Sequence, residues 1–458
     1  MKTLKAEYDV IVVGSGPGGA SVARELSRQG KKVLILEWGD NDPLKGTLTQ
    51  IIPRAFTPGK SISFTPQMLG VVRAITTGGS SVIYCATAFD PPVEMLKKYG
   101  VDISAEAAEV REDVPIGALS DALMAAGPRR FLESARALGY DAQRLNKFIF
   151  QDKCRANCQL CSYGCPYGAK WSARNFVDEA LENGAEMINF AKVEKVLVEN
   201  QAAVGVEYRH ERETFQAYGA KIVIAAGGIG SPLILRQSGI PGTGYHFFFD
   251  PLVYVYGRIK GLGSGRAVPM SAGVHFPDDG IVMTDFNMPH LMKILFDLEV
   301  LKVRQAFAYH DVLPIMIKVR DDLGGEITKR GWVRKSLGRQ DKLRLEKGAD
   351  HARRILANAG ATDIYRGWMF GAHPGGTVKI GEHLDTDLKT VFDNLYVCDC
   401  SVIPEEWGLP PTWTLLALGR RLATHLAAAD KASGKTDFQP VVVTPKREKA
   451  QQLSAGAL

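Results

Sequence analysis

The sequence of 458 residues has no apolar run long enough to cross a membrane as a helix. It also lacks a strong charge of either sign, because 56 lysines and arginines against 50 acidic residues leave a net charge of +6 spread along the chain. Its basic clusters contain few aromatic residues, so nucleic-acid binding is not expected. The first residues, MKTLKAEYDVIVVG, have neither the apolar core nor the cleavage site of a signal peptide. These absences predict a cytoplasmic globular protein.

Cysteine is scarce except in one place. Four of the seven cysteines lie between Asp152 and Trp171, in the stretch DKCRANCQLCSYGCPYGAKW. A reducing cytoplasm disfavours structural disulfides, so this stretch raises the question of a metal or cofactor. Cys85, Cys398 and Cys400 are isolated from this run, and Cys398 and Cys400, at a strand end, are expected to pack in the core.

The N-terminal stretch YDVIVVGSGPGGASVARELSRQGKKVLILEWGD has the pattern of a βαβ unit. Residues 10–13 and 33–36 are short apolar runs typical of buried parallel strands, and the segment between them has helical spacing. A glycine-rich turn and an acid at the end of the second strand suit a pyrophosphate and a ribose. Dinucleotide binding is therefore expected, although this pattern does not distinguish FAD from NAD. The predicted binding residues are Gly14, Gly16, Gly19 and Glu37.

Three later segments identify the cofactor through a family resemblance. They are TTGGSSVIYCATAFDPP (76–92), KIVIAAGGIGSPLILRQSGI (221–240), and a last segment from GAHPGGTVKIG to NLYVCDCSVIPEEWGLPPTWTLLALGRRLATHL (371–426). In this order they resemble the glucose–methanol–choline (GMC) family of FAD oxidoreductases. The family's two signatures are similar to residues 78–81 and 225–235. The resemblance implies FAD and a Rossmann-like FAD-binding fold.

The resemblance also implies which residues contact FAD. Residues 78–81 offer backbone N–H groups and hydroxyls to a pyrophosphate or flavin, residue 193 lies beside the adenine, and the acid at 399 ends a strand where such sheets bind ligands. The cofactor-binding residues implied in this way are Gly78, Gly79, Ser80, Ser81, Val193, Ala226, Gly227, Asp399, Pro411 and Thr412.

His373 matches the position at which the family carries an active-site histidine beside flavin N5. A histidine of ordinary pKa can take a hydroxyl proton while hydride leaves for the flavin. The family's second active-site position is usually Asn or His, but here it is Pro410, which has no side-chain donor or acceptor. Tyr84, Glu405 and Glu406 are candidate replacements. The departure weakens plain alcohol oxidation as the assignment and leaves room for another hydride chemistry, such as oxidation next to a carbonyl or reduction of an activated double bond.

The clustered cysteines are spaced C-x3-C-x2-C-x3-C and are followed by Pro166. The last three and the proline reproduce the end of the bacterial ferredoxin run, whereas the first gap is one residue longer. Such gaps let one loop wrap a cuboidal cluster, and Asn157, Gly164 and Gly168 suit the tight turns required. The predicted metal ligands are Cys154, Cys158, Cys161 and Cys165.

An iron–sulfur cluster, [4Fe–4S] with four ligands or [3Fe–4S] with three, is the favoured interpretation of these cysteines. A four-cysteine zinc site is less favoured, because zinc sites usually divide their ligands into two distant pairs. Reduced or disulfide-linked cysteines that only shape the loop are the third alternative. The ending CPYGAK is similar to the iron–sulfur segment of GMC-like bacterial glucose dehydrogenases, but long-chain alcohol oxidases also have a cysteine-rich stretch there, for which no cluster is implied.

The sequence thus predicts an FAD-dependent dehydrogenase that transfers hydride between FAD and a small organic substrate, an alcohol or a carbonyl-activated CH–CH group. A cluster would relay single electrons to an external redox protein. One alternative is a cluster-free GMC alcohol oxidase that uses oxygen. Another is an electron-transfer subunit that binds FAD and a cluster, which the absence of a second polar residue at Pro410 and a short substrate half favour.

The predicted fold class is α/β, with a Rossmann-like FAD-binding domain, an α+β substrate domain and a cysteine-rich iron–sulfur insertion. A leucine-rich helical stripe near residues 291–301 is expected to be core, with a substrate lid or peripheral membrane contact as alternatives. The predicted segments are residues 1–92, 171–244 and 371–428 for FAD, 93–170 for the insertion, 245–370 for the substrate domain and 431–458 for a loose tail.

Overall fold

The computed structural model describes residues 7–302 and 308–429. Two large sheets organise this part of the chain. The predicted tail at 431–458 lies outside the described residues. The strands are β1 (Tyr8–Val13), β2 (Val33–Leu36), β3 (Ile62–Phe64), β4 (Gly70–Val72), β5 (Thr87–Ala88), β6 (Ile116–Ala118), β7 (Ala142–Arg144), β8 (Asn146–Phe148), β9 (Glu186–Ile188), β10 (Lys192–Glu199), β11 (Ala202–His210), β12 (Glu213–Ile224), β13 (Tyr245–Phe247), β14 (Pro251–Arg258), β15 (Ala272–Phe276), β16 (Ile281–Asp285), β17 (Val312–Val319), β18 (Gly324–Ile327), β19 (Val333–Arg334), β20 (Thr362–Gly371) and β21 (Leu395–Val397).

The helices cover both sheets and fill the space between them. They are α1 (Pro17–Arg28), α2 (Leu48–Ala55), α3 (Val93–Lys97), α4 (Ser104–Asp113), α5 (Ala126–Ala137), α6 (Ala173–Glu182), α7 (Gly227–Gln237), α8 (His290–Glu299), α9 (Arg339–Asn358) and α10 (Thr412–Ala429).

The first sheet contains the predicted βαβ unit. Its order is β10-β11-β12-β1-β2-β9, with β21 paired to β12. Strand β1 runs parallel to β2 on one side and to β12 on the other, and β21 continues the parallel part. These central strands are apolar and buried because helices cover both faces, as in doubly wound sheets. The loops at their carboxyl ends therefore meet at one edge of the sheet.

The second sheet has eight strands in the order β3-β4-β20-β14-β17-β16-β15-β7. Its central strands β14 and β17 are almost entirely buried, and helix α9 packs against them. Strand β20 returns from this sheet to the loop at residues 372–376, close to the first sheet. Strands β3, β4 and β7 join this sheet from parts of the chain before residue 245. The domain boundaries given above stay predictions.

Helix α8 corrects the interpretation of the leucine stripe as core. Leu291, Leu295 and Leu298 are 44–52% exposed on its outer face. The buried face instead carries Lys293 and Asp297, which form an ion pair beside the hydroxyl of Tyr365. The helical period was predicted correctly, but the protein buries the opposite side, where apolar side chains of the helix pack against the core and the ion pair is satisfied. Among the described residues, no helix is both long and apolar enough to cross a membrane.

Candidate active site

The glycine-rich turn after β1 is fixed by contacts that only glycine allows. Gly14 has a φ of +100°, and a Cβ added there would lie 2.4 Å from the carbonyl oxygen of Ala225. At Gly19 a Cβ would lie 2.1 Å from the oxygen of Gly14. By contrast, a Cβ at Gly16, which precedes helix α1, would meet no protein atom within 4 Å. Two glycines therefore pack the turn, and the third leaves the helix N-terminus open to close approach by a pyrophosphate.

The structure brings the first glycine turn against the segment 78–81. The hydroxyl of Ser15 accepts the N–H of Gly78 at 3.0 Å and donates to the buried carboxylate of Glu37. Both glycines of the second segment are left-handed, with φ of +87° at Gly78 and +56° at Gly79, and Gly79 lies against Gly16. Glu37 also accepts backbone N–H groups from Ser15 and Gly39, and burial raises the pKa of its carboxyl. Ser15 thus links Glu37 to the segment 78–81, a contact that was not predicted from the sequence.

Replacing Gly14 by alanine is expected to lower the free energy of unfolding by about 3 kcal/mol, because strain at positive φ adds to the clash with Ala225. Gly30→Ala is the matched control, since Gly30 also has a positive φ, +75°, but has no atom within 4 Å of the added Cβ. The control should lose only about 1 kcal/mol. Urea unfolding of both variants measures the difference, and equal losses would contradict the packing role.

The second part of the predicted cofactor site is built on Asp399. This buried carboxylate accepts the N–H of Gly227 at 2.8 Å, the hydroxyl of Ser231 and the N–H of Ser401. It thereby ties the start of α7 to the end of β21. Ser80 and Ser81 bond to nearby backbone, Val193 is buried on β10, Ala226 precedes α7, and Pro411 and Thr412 are buried at the start of α10.

The predicted cofactor residues fit FAD by their chemistry. A helix N-terminus with glycine at its entrance suits a pyrophosphate, and a buried acid at the end of β2 suits a ribose. A Cβ at Gly227, like one at Gly16, would meet no protein atom within 4 Å. Both glycine-bounded positions therefore admit close contact with a cofactor.

The loop that carries His373 lies beside these elements. His373 has a φ of +50°, and its carbonyl oxygen faces the thiol of Cys400 at 3.7 Å. The next residue, Pro374, is packed so tightly on α7 that a Cβ at Gly228 would lie 1.9 Å from its oxygen. The loop is therefore held against both α7 and the segment after β21, at the edge where the cofactor residues meet.

Two charged side chains contact the imidazole of His373, and neither was predicted from the sequence. Nδ1 lies 2.7 Å from Nζ of Lys318 and 3.1 Å from Oδ2 of Asp250, and these two groups are 2.9 Å apart. Lys318 and Asp250 are each about 1% exposed. Burial and the charge of Lys318 lower the pKa of His373, and Asp250 acts in the opposite direction.

The three candidate replacements for the side chain missing at Pro410 have other contacts or positions. The hydroxyl of Tyr84 donates to the carbonyl of Trp171 at 2.8 Å. Glu405 accepts from the hydroxyl of Tyr99 at 3.2 Å, and Glu406 is partly exposed without a described bond to His373.

The cysteine loop, defined here as residues 154–165, forms one side of a single small pocket. All four clustered thiols line it together with Lys170 and Tyr167. The tight turns within and just after this loop form as expected, because Asn157, Gly164 and Gly168 all adopt positive φ. None of the chain's seven cysteines is in a disulfide.

The four thiols fit a cluster by donor type, but they do not form a ready-made metal site. Within residues 7–302 and 308–429, no three His, Cys, Asp or Glu side chains lie in a metal-binding arrangement. Burial raises the pKa of Cys154 to about 11 and that of Cys161 to about 12, so a metal would have to displace these protons. The predicted iron–sulfur insertion therefore stays a proposal.

Lys170 connects the cysteine loop to the turn at residues 79–82. Its buried ammonium donates to the carbonyls of Cys161 at 2.7 Å, Val82 at 2.6 Å and Tyr84 at 3.1 Å. Its own N–H donates to the sulfur of Cys165 at 3.3 Å. Burial lowers the pKa of its side chain to about 8. One side chain thus holds the loop and the predicted flavin-side segment in a fixed relation.

Replacing Lys170 by methionine is expected to lower the free energy of unfolding by about 3 kcal/mol, because three buried carbonyls lose a charged donor. Lys153→Met is the control, since Lys153 is exposed in the same region, and it should change stability by less than about 0.5 kcal/mol. Thermal and urea unfolding measure both. A Lys170 variant as stable as this control would show that the three bonds contribute nothing.

Comparison with known proteins defines the class. Residues 9–247 match the family profile named GMC oxidoreductase. The chain belongs to this family and is an FAD-dependent oxidoreductase.

Three similar proteins illustrate the family. An uncharacterised protein of Methanocaldococcus jannaschii is 27% identical, covering 92% of this chain and all of that one. The long-chain-alcohol oxidase FAO3 of Arabidopsis thaliana is 21% identical over 93% of this chain and 68% of the oxidase. A solved formate oxidase of Aspergillus oryzae RIB40 is 14% identical with a TM-score of 0.72, covering 94% of this chain and 99% of that one. The family and the α/β FAD-binding fold of GMC type predicted from the sequence are confirmed, whereas the iron–sulfur insertion is not shown.

Proposed function

We propose that this protein is a dehydrogenase that transfers hydride between FAD and a small organic substrate and passes electrons singly, through an iron–sulfur cluster, to an external redox protein. The observation that carries the proposal is the shared pocket of the four clustered thiols, which Lys170 fixes against the turn at residues 79–82. A loop that only shaped the surface would not need four thiols on one pocket. Cytoplasmic localisation belongs to the same proposal.

The proposal divides the chemical roles between residues near the carboxyl edge of the first sheet and the cysteine loop. Gly16, Gly78 and Gly79 would admit the pyrophosphate, and Glu37 and Asp399 would hold hydroxyl groups of the cofactor. When bound, FAD supplies the hydride acceptor. His373, with a side chain about 27% exposed, holds or moves the substrate proton at the ring nitrogen that faces away from Lys318. The four thiolates would hold the cluster, which supplies one-electron transfer.

The proposal is tested on protein purified without oxygen. Iron and acid-labile sulfide per chain, together with an EPR spectrum after reduction, test for the cluster. Short-chain and long-chain primary alcohols and hydroxy ketones then test for bleaching of the flavin absorbance, with a ferricenium salt as the one-electron acceptor. Flavin without iron or sulfide would remove the cluster from the proposal.

A second candidate function is a cluster-free alcohol oxidase. It is favoured by the likeness to long-chain-alcohol oxidase FAO3 across 93% of this chain. In that case long-chain alcohols should bleach the flavin, oxygen should restore its colour with stoichiometric hydrogen peroxide, and iron should be absent. Bleaching only by a reduced redox protein, and by none of the small molecules, would instead identify an electron-transfer subunit.

A further inference from the structure

The buried triangle of Lys318, Asp250 and His373 is unusual because it places an ammonium group against a ring nitrogen. Nζ of Lys318 lies 2.7 Å from Nδ1 of His373, closer than Oδ2 of Asp250 at 3.1 Å. A charged lysine has donors only, so a bond of this length requires an unprotonated Nδ1. The ring proton then stands on Nε2, at the more accessible edge of the imidazole.

The groups around Lys318 keep its charge balanced inside the protein. Asp250 pairs with it at 2.9 Å, and the thiol of Cys400 and the carboxyl of Asp321 are further titratable groups nearby. Behind them Asp321 accepts the N–H of Asp250 at 2.9 Å and pairs with Lys335 at 2.5 Å. Burial lowers the pKa of Lys318, while Asp250 acts against that shift. A buried lysine with one carboxylate partner can therefore both hold and release a proton.

We propose that Lys318 and Asp250 are positioning residues: while Lys318 is charged, they hold the ring proton of His373 on Nε2, and Lys318 exchanges a proton with the ring through Nδ1. The inference rests on the proposed role of His373. When His373 donates to a substrate, the Nε2–H bond breaks while a proton passes from Nζ of Lys318 to Nδ1. When it accepts, Nε2 gains the substrate proton and Nδ1 returns its own proton to Nζ, starting from a neutral lysine.

This arrangement would allow proton transfer at His373 without the Asn or His that the family usually has at the second active-site position, which is Pro410 here. After proton uptake the positive charge rests on Lys318, beside Asp250, and the imidazole stays neutral. A second side chain that stabilises a positively charged imidazole is then unnecessary. Among the described residues, the buried Oδ1 of Asp250 has no hydrogen-bond partner, so this carboxylate can interact further with the incoming charge.

The test is ¹⁵N NMR of the histidine rings in the full chain labelled at histidine, with His373→Gln to assign the signals. We expect the wild-type ring of His373 to carry its proton on Nε2. In Lys318→Met, Asp250 is left as the partner of Nδ1, so the proton should move to Nδ1 and the pKa of the ring should rise. Lys147→Met removes another buried lysine, whose ammonium bonds to Thr87 and to nearby carbonyls rather than to His373, and it should leave the ring signals unchanged.

Lys318→Arg separates holding the proton from exchanging it. Arginine keeps a charged donor near Nδ1, but it does not give up its proton in proteins. The ring should therefore keep its proton on Nε2, while bleaching of the flavin by substrate slows about 100-fold. Ring signals that are the same in wild type and Lys318→Met would overturn the proposal, as would full bleaching rates in Lys318→Arg. This variant also serves if the methionine variant fails to fold.

Two outcomes distinguish failure of the proton relay from failure of the proposed role of His373. If His373→Gln bleaches its flavin as fast as wild type, the role of His373 fails, whatever the ring signals show. If His373→Gln is slow but the Lys318 variants behave as wild type in both measurements, the role of His373 stands and only the relay fails.

Discussion

Replacing His373 by alanine is expected to slow the bleaching of bound FAD by substrate about 100- to 10,000-fold, the range that loss of a general acid–base group produces. The side chain lies at the sheet edge where Gly16, Gly227 and Asp399 meet, and about 27% of it is exposed. Because its φ is +50°, alanine at this position adds backbone strain of about 1 kcal/mol, which stability measurements must separate from the chemical effect. Anaerobic stopped-flow absorbance gives the rate directly.

His425→Ala is the matched control for this prediction. His425 lies on α10, where it contacts Asp387, away from the loop of His373. It should retain the wild-type bleaching rate. A His373→Ala enzyme that binds FAD and bleaches as fast as this control would end the acid–base assignment. Slow bleaching caused only by lost FAD would appear as a lower flavin content.

Replacing Cys161 by serine is expected to lower the iron and sulfide content below about one tenth of the wild-type value, because loss of a ligand costs more than the 10- to 100-fold effect of removing a supporting group. Cys161 is the most buried of the four thiols that line the pocket, and Lys170 holds its carbonyl. Cys85→Ser is the control, since Cys85 lies near Ser162 but does not line the pocket. Its iron content should equal that of wild type.

Cys154→Ser distinguishes the two cluster types. Cys154 precedes the longer first gap of the motif, so it is the ligand that a [3Fe–4S] cluster would omit. Retained iron with an unchanged EPR spectrum in this variant indicates three protein ligands. Full iron content in Cys161→Ser, by contrast, would contradict the proposed ligand set.

The parts of the fold that could be predicted are those that depend on local pattern. Residues 10–13 and 33–36 lie in β1 and β2, because short apolar runs rich in β-branched residues between turns usually form buried strands. The hairpin at Val193 follows from alternation of apolar and charged residues. The exposed face of α8 could not be predicted, because the partner of Asp297 and Lys293 is Tyr365, some 70 residues further along the chain.

The site was predictable where a backbone conformation demands a residue type. Glycines at 14, 78 and 79 stand at positive φ, and the motif retains them for that reason. The groups behind His373 were missed because they come from β17 and from the residue before β14, far apart in sequence. One signal was present: Lys318 is the lone charge in the apolar strand VLPIMIKV, and a charge in a buried strand requires a partner.

The N-terminal glycine turn has a consequence for biosynthesis. A Cβ at Gly18 would lie 2.1 Å from the oxygen of Cys398, and the hydroxyl of Ser21 donates to the carbonyl of Leu416 at 2.8 Å. Helix α1 also packs against α6, but its contacts with residues 398 and 416 form only after those residues have been synthesised. Contacts of such long sequence separation form late. The glycine turn therefore reaches its final packing late in folding, after the neighbouring strands β1 and β2 have paired.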